Sequence, residues 1–281
     1  MLVLAECVGR MVFGVNRPPL YRADPEIEYT LQPNQSSIVK RQPFLTNQYG
    51  MRSPELSERR PPGGRRIAAF GDSILTANAV GQDDLATSVL AKELTSRGAP
   101  TEVANISAGG WGPGNWLAYA KRYGFFDADT VVLVLSSHDY ADNPTFSSMD
   151  PYTTPTHYPR SALVFYAMKK AAALASHAAA QPVQPSEDEI TKALSDLRAF
   201  LAMARQDGRR VIVFQHFERG ELDGNQKPGA ARIASLCKDM GIESASLLDA
   251  ELANRAGAYD DGIHLTTKGQ RVLASEIAKH L

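Results

Sequence analysis

Four apolar residues, Ile67-Ala68-Ala69-Phe70, run without a polar break into Gly71-Asp72-Ser73. A short apolar run that ends in a turn signal predicts a strand buried on both faces. Such a strand needs structure above and below it, which restricts the chain to a sheet covered on both sides. Gly71 permits a sharp turn, and Ser73 then falls just past the carboxyl end of the strand, where open α/β sheets bind ligands. Ser73 has two readings at this point. It is a nucleophile facing a crevice, or it caps the next helix, a position that serine also favours.

The remaining pattern repeats strand and helix in alternation. Strands are expected at residues 67–70, 102–106, 130–135, 210–214 and 246–248. Helices are expected at 84–97, 117–123, 162–180, 186–204, 230–240 and 267–280. Gly98 and Gly241 stand where helices commonly end, and Ser186-Glu187-Asp188-Glu189 fits a capping box. This alternation predicts a mostly parallel sheet with helices on both faces. Residues 17–62 are rich in proline, asparagine and serine and carry little periodicity, so they read as an extended arm with short strands such as Glu28-Tyr29-Thr30-Leu31. The boundary falls in Arg59-Arg60-Pro61-Pro62-Gly63-Gly64, giving an arm over 1–62 and a main domain over 63–281.

A formal net charge of −1 gives no footprint for nucleic acid. Two cysteines, Cys7 and Cys237, cannot build a disulfide framework or a cysteine zinc site by themselves. The apolar N-terminus, Met1-Leu2-Val3-Leu4-Ala5, is interrupted by Glu6 and Arg10 and is too short for a span of ~20 residues. It reads as the stub of a membrane helix or as a short helix docked on the domain.

The chemistry-bearing residues fall after predicted strands: Ser73 after the first, Asn105, Gly109 and Gly110 after the second, His138, Asp139 and Asn143 after the third. Asp261 and His264 precede the final helix. Carboxyl ends of parallel strands share one sheet edge, so one crevice can collect them all. A serine nucleophile needs a base and a group that orients the base. His264 suits the first role and Asp261, three residues earlier, the second. The oxyanion needs preorganised donors, and the Ser73 and Gly110 amides are candidates. Asp72, Trp111 and Asp139 are candidate substrate contacts; a loop-bracing role for Asp72 and a packing role for Trp111 compete with this. Asp139, Asp142 and Asn143 sit in one polar loop and read as solvated turn residues, so neither metal nor cofactor is expected. His157, His177, His216 and His280 show no partner pattern and read as structural or surface residues.

Gly71-Asp72-Ser73-Ile74, the glycine turn after the second strand, the Asp-containing block after the third and Asp261-x-x-His264 together resemble the SGNH, or GDSL-type, hydrolase family over residues 67–281. The resemblance implies a flavodoxin-like three-layer α/β/α fold and ester hydrolysis or acyl transfer through an acyl-enzyme on Ser73. One block departs from the family pattern. His138 stands where an oxyanion-binding asparagine is expected, and a neutral imidazole can donate one hydrogen bond in its place. The arm stretches Glu28–Gln35 and Thr46–Arg52 are similar to a leader of bacterial members that accompany surface-polysaccharide biosynthesis. This implies an O-acetylated carbohydrate or other small ester as substrate, and a place in the cell envelope or periplasm. Hydrolase and acetyltransferase share these residues. A non-catalytic glycan-binding protein and a lipase are the rival readings; the polar loop 139–159 is unlike a lipid-binding lid.

Overall fold

The computed structural model describes residues 2–12, 17–179 and 184–281. The first part of the chain forms α1 (Leu2–Val12) and two antiparallel hairpins, β1 (Tyr21–Asp24) with β2 (Glu28–Leu31) and β3 (Ser36–Val39) with β4 (Gln42–Leu45). The main domain continues through β5 (Arg65–Gly71), α2 (Ser73–Thr76), α3 (Ala86–Ser96), β6 (Thr101–Ser107), α4 (Pro113–Tyr123) and β7 (Thr130–Ser136). It ends with α5 (Ala162–Ala179), α6 (Glu187–Ala204), β8 (Arg210–His216), α7 (Pro228–Met240), β9 (Glu243–Ser246), α8 (Leu248–Ala258) and α9 (Thr267–Lys279).

Five of the described strands make one parallel sheet in the order β6-β5-β7-β8-β9. Counted from β5 this is 2-1-3-4-5, the flavodoxin-like order. Alternate residues of each strand serve opposite layers. Ala68, Phe70, Val131, Leu133 and Val213 pack against Trp116, Phe200 and Ile233 on one face. Ile67, Ala69, Val132, Val134 and Ile212 pack against Leu90, Leu273 and Ile277 on the other. The three-layer expectation is thus met. The Ser186 capping box is present, with Ser186 Oγ accepting from the Glu189 amide and the Glu189 carboxylate accepting from the Ser186 amide.

The last strand differs from expectation. It spans Glu243–Ser246 rather than 246–248, and α8, which the sequence pattern did not suggest, begins at Leu248. β9 is an edge strand with mostly exposed polar residues, so it carries no apolar run. Leu247 and Leu248, which supply such a run, lead into the helix instead, and Leu247 is buried beneath it.

The arm is part of the packed core. Ile27, Leu31, Phe44 and Met51 are buried in the cluster that holds Phe70 and Trp116. α1 lies on α5, where the Glu6 carboxylate accepts from the Ala162 amide at 2.7 Å and from Ser161 Oγ at 2.8 Å, a favourable place for negative charge. No described helix is long and apolar enough to cross a membrane.

Arg52 joins the arm to the turn that follows Ser73. Its guanidinium is buried and donates to the carbonyls of Thr76 at 2.7 Å, Ala77 at 2.8 Å and Val80 at 3.1 Å, and to Gln82 Oε1 at 3.2 Å. The Phe44 ring lies 4.4 Å beneath it. Burial without a carboxylate partner pushes its pKa down to about 9. Ala77, at the end of α2, adopts left-handed backbone (φ +46°), and the guanidinium supplies donors to this strained end. Replacing Arg52 with leucine removes the guanidinium donors to the buried Thr76 and Val80 carbonyls, while Ala77 O keeps the Val80 amide. We expect a loss of about 3 kcal/mol or more in urea unfolding; an unchanged midpoint would contradict this account.

Candidate active site

Ser73 follows β5 directly and opens α2. Asp72 caps that helix, its Oδ1 accepting from the Ile74 amide at 2.7 Å. The Ser73 amide has no protein acceptor among the described residues, as the first turn of a helix dictates. His264 Nε2 lies 3.1 Å from Ser73 Oγ, and His264 Nδ1 lies 2.7 Å from Asp261 Oδ2. The other Asp261 oxygen accepts from the amides of Ile263 and His264, both at 2.8 Å. Partial burial opposes charge on this carboxyl, but those amides and the imidazole outweigh it and hold its pKa at about 2. The three side chains predicted from their spacing therefore meet in one hydrogen-bonded line. They border a cavity of about 400 Å³ that Lys40, Tyr152 and Lys169 also line.

The 259–265 loop that carries Asp261 and His264 is tied down from several sides. Tyr259 bridges Leu265, the Asp260 amide donates to His264 O, and the Arg219 amide donates to Gly262 O. His216, at the carboxyl end of β8, holds the residue next to His264. Its Nδ1 lies 2.5 Å from Glu251 Oε1 and its Nε2 lies 2.9 Å from Ile263 O. Both neighbours are acceptors, so both ring nitrogens donate and the buried ring is an imidazolium. Burial alone would remove that proton; the Glu251 carboxylate overrides it and raises the pKa. Reading His216 as a histidine with no partner missed this clamp. Its position at the end of an apolar strand, on the same edge as the other reactive groups, was the available signal.

The glycine turn faces the serine. A Cβ on Gly109 would stand 3.9 Å from Ser73 Cβ and 3.5 Å from the Tyr21 hydroxyl. Gly110 has φ +77°, and a Cβ there would come within 2.8 Å of the Tyr29 hydroxyl. That hydroxyl donates to Gly109 O at 2.9 Å, and Trp111 Nε1 donates to Tyr29 O at 2.8 Å. The turn is therefore shaped by the arm, through a tyrosine whose own neighbourhood in the sequence gives no sign of that role. The Gly110 amide has no protein acceptor among the described residues. Gly110 borders a neighbouring cavity of about 230 Å³ rather than the one that Ser73 lines.

His138 is half-exposed among acids. Nε2 lies 3.9 Å from Asp72 Oδ2 and 3.8 Å from Asp139 Oδ1, and Nδ1 lies 3.8 Å from Glu218 Oε1. Burial disfavours its charge, but Asp139, Glu218 and Asp72 outweigh burial and raise its pKa to about 10. Asp72, His138 and Asp139 bring three potential metal-ligand atoms within 4.8 Å of one another. Burial and the Asp72 charge push the Asp139 carboxyl well above the usual carboxylate range, against the pull of His138.

Three of the candidate substrate contacts are corrected. Trp111 is 2% exposed, with its ring inside the core and its N–H spent on the arm, so it offers no face to a sugar. Asp72 and Asp139 are each 1% exposed. Asp72 is consumed by the helix cap, and Asp139 Oδ2 accepts from the Ser136 amide at 2.6 Å. They brace the loops around the site. Asn105, expected to brace the second loop, instead ties β6 to the helices α2 and α3 by donating to Leu75 O and Thr87 Oγ1.

A serine, an imidazole and a carboxylate in hydrogen-bonded line, on the carboxyl edge of a 2-1-3-4-5 parallel sheet, define a serine hydrolase. Residues 69–272 match the model of the GDSL-like lipase/acylhydrolase family, and the chain belongs to that family. It is an ester hydrolase. No curated protein matches the chain. Among solved structures it is similar to an acetylxylan esterase from Geobacillus stearothermophilus, solved as a catalytic mutant. That match has 14% identity and a TM-score of 0.52, covering 77% of this chain and 94% of that one. An acetyl xylan esterase matches at 15% identity and TM-score 0.51, covering 77% and 99%. An alpha/beta hydrolase from the metagenome of Lake Arreo, Spain, matches at 14% and 0.51, covering 77% and 94%. At these identities the likeness is one of fold.

Two outcomes are expected here. His216→Phe leaves Glu251 buried without its cation and should cost about 3–5 kcal/mol in chemical unfolding; a neutral result would remove the clamp. The folded chain keeps a proton on His138 that an ordinary histidine, with pKa 6.5, releases. The stability that this provides is full below pH 6.5 and is lost as pH rises toward 10. The melting-temperature gap between the native protein and His138→Gln should therefore be widest near pH 6 and close by pH 10.

Proposed function

We propose that the chain is a serine esterase that removes a small acyl group, most simply acetyl, from a carbohydrate through an acyl-enzyme on Ser73. The observation that carries this reading is the Ser73–His264–Asp261 line at 3.1 and 2.7 Å, opening on a cavity of about 400 Å³. Ser73 Oγ attacks the ester carbonyl while His264 Nε2 takes its proton. Asp261 fixes the imidazole with Nδ1 protonated and stabilises the imidazolium that forms. Negative charge develops on the carbonyl oxygen, and the free amides of Ser73 and Gly110 are the donors we assign to it. His264 returns the proton to the departing sugar hydroxyl. Water, deprotonated by the same imidazole, then cleaves the acyl-enzyme.

The family's asparagine donor is replaced by His138, whose two nitrogens face carboxylates. We assign it a fixed positive charge behind the nucleophile turn, held between Asp72 and Asp139. No cofactor or metal enters the scheme. Carbohydrate as the acyl carrier is supported by the tyrosines that line the cavity and by the polar 139–159 loop. It is also supported by the fold shared with two acetylxylan esterases and by the arm's similarity to polysaccharide-associated members. A place in the cell envelope goes with the same reading. An acceptor sugar in place of water would make the same machinery an O-acetyltransferase.

The test is p-nitrophenyl acetate turnover beside intact-mass analysis, with and without a glycan acceptor. The native protein should release nitrophenol and carry an acetyl adduct. Ser73→Ala should lose about 10³-fold or more in kcat and carry none. Comparable turnover in Ser73→Ala would overturn the mechanism. Faster release with acceptor, and acetyl found on the sugar, would move the assignment to transferase.

A further inference from the structure

The charges around the Ser73 cavity are not all paired with one another. Asp261 and Asp260 border it together with Lys40 and Lys169. Asp261 is satisfied by His264 and two amides. Asp260 Oδ2 accepts from Lys40 Nζ at 2.8 Å. Lys169, which projects from α5, makes no ion pair within 4.0 Å among the described residues. Asp150 favours its charge, and Asp150 Oδ1 accepts from the amides of Tyr152 and Thr153 and from Thr153 Oγ1. Burial, together with repulsion from Lys40, lowers the Lys169 pKa despite that acid. An exposed ammonium on the rim of this cavity, near a second cation and in no ion pair among the described residues, is suited to gain a negative group from outside. Tyr152 and Tyr166 border the same space.

We propose that the sugar whose ester reaches Ser73 carries an anionic group, a carboxylate or a phosphate or sulfate ester, that binds Lys169 with Lys40 beside it. This rests on the esterase reading above and adds the chemical class of the carrier. The anion pairs with Lys169 while the ester carbonyl lies over Ser73, so the charge selects the sugar and the serine acts on its acyl group. Lys40 contributes by releasing part of its hold on Asp260, and Lys169 needs no such exchange.

The experiment uses the full chain and three probes: O-acetylated oligogalacturonate, an O-acetylated sugar phosphate, and neutral acetylated xylo-oligosaccharide. The readout is kcat/KM for each anionic probe over the neutral one, with direct binding of the same probes to Ser73→Ala measured by calorimetry. The native protein should prefer at least one anionic probe by about 10-fold or more at low salt. That preference should shrink as salt rises. Lys169→Met should abolish it and Lys169→Arg should keep it. The two anionic arms distinguish a uronate from a phosphate ester. A native protein that favours the neutral probe, or an anionic preference untouched in Lys169→Met, would overturn the proposal. Binding of an anionic probe to Ser73→Ala that depends on Lys169, without acetyl release by the native protein, would support the anion site and count against the esterase reading instead.

Discussion

The structure depends on the enclosure of β5. Its apolar residues are covered on both faces, and it pairs in parallel with β6 on one side and β7 on the other. Parallel pairing aligns the carboxyl ends, so the chain leaves the sheet along the same edge three times: at Ser73, at Gly109-Gly110 and at His138-Asp139. None of these segments needs affinity for the others. They meet because the strands beneath them cannot slide without moving apolar side chains into the wrong layer.

On this frame, positive charge is used in an unusual way. Arg52 and His216 are buried, and each spends donors on backbone carbonyls that border the reactive loops. A carbonyl at the end of a short helix or in a tight loop has no neighbour of its own to satisfy it. A long or flat cationic side chain from another element reaches it, and the loop is then fixed from outside. His138 shows the reverse arrangement, a cation fixed by carboxylates. The site is rigid through cross-element polar contacts more than through the loops' own conformational preference.

Much of this was legible in the residues. The apolar runs located β5, β6, β7 and β8, and Asp261-x-x-His264 located the base and its partner, because strand burial and triad spacing leave local marks. What escaped notice was non-local. β9 and α8 lack an apolar period, since an edge strand and a helix with few buried residues can do without one. Tyr29 and His216 act on residues 80 and 47 positions away, and nothing in their own neighbourhood advertises the partner. Trp111 was misread for a related reason: a tryptophan beside a reactive turn looks like a platform until the arm that covers it is in place.

The covering of the glycine turn by the arm bears on how such a chain can change over generations. Gly110 admits no side chain partly because Tyr29 occupies the space, and Tyr29 is aimed by Trp111, which follows the same turn. Segments about eighty residues apart therefore form one inherited unit. Exchange of the arm between relatives by recombination would carry half of that unit without the other. Exchanges that keep both halves together preserve the turn.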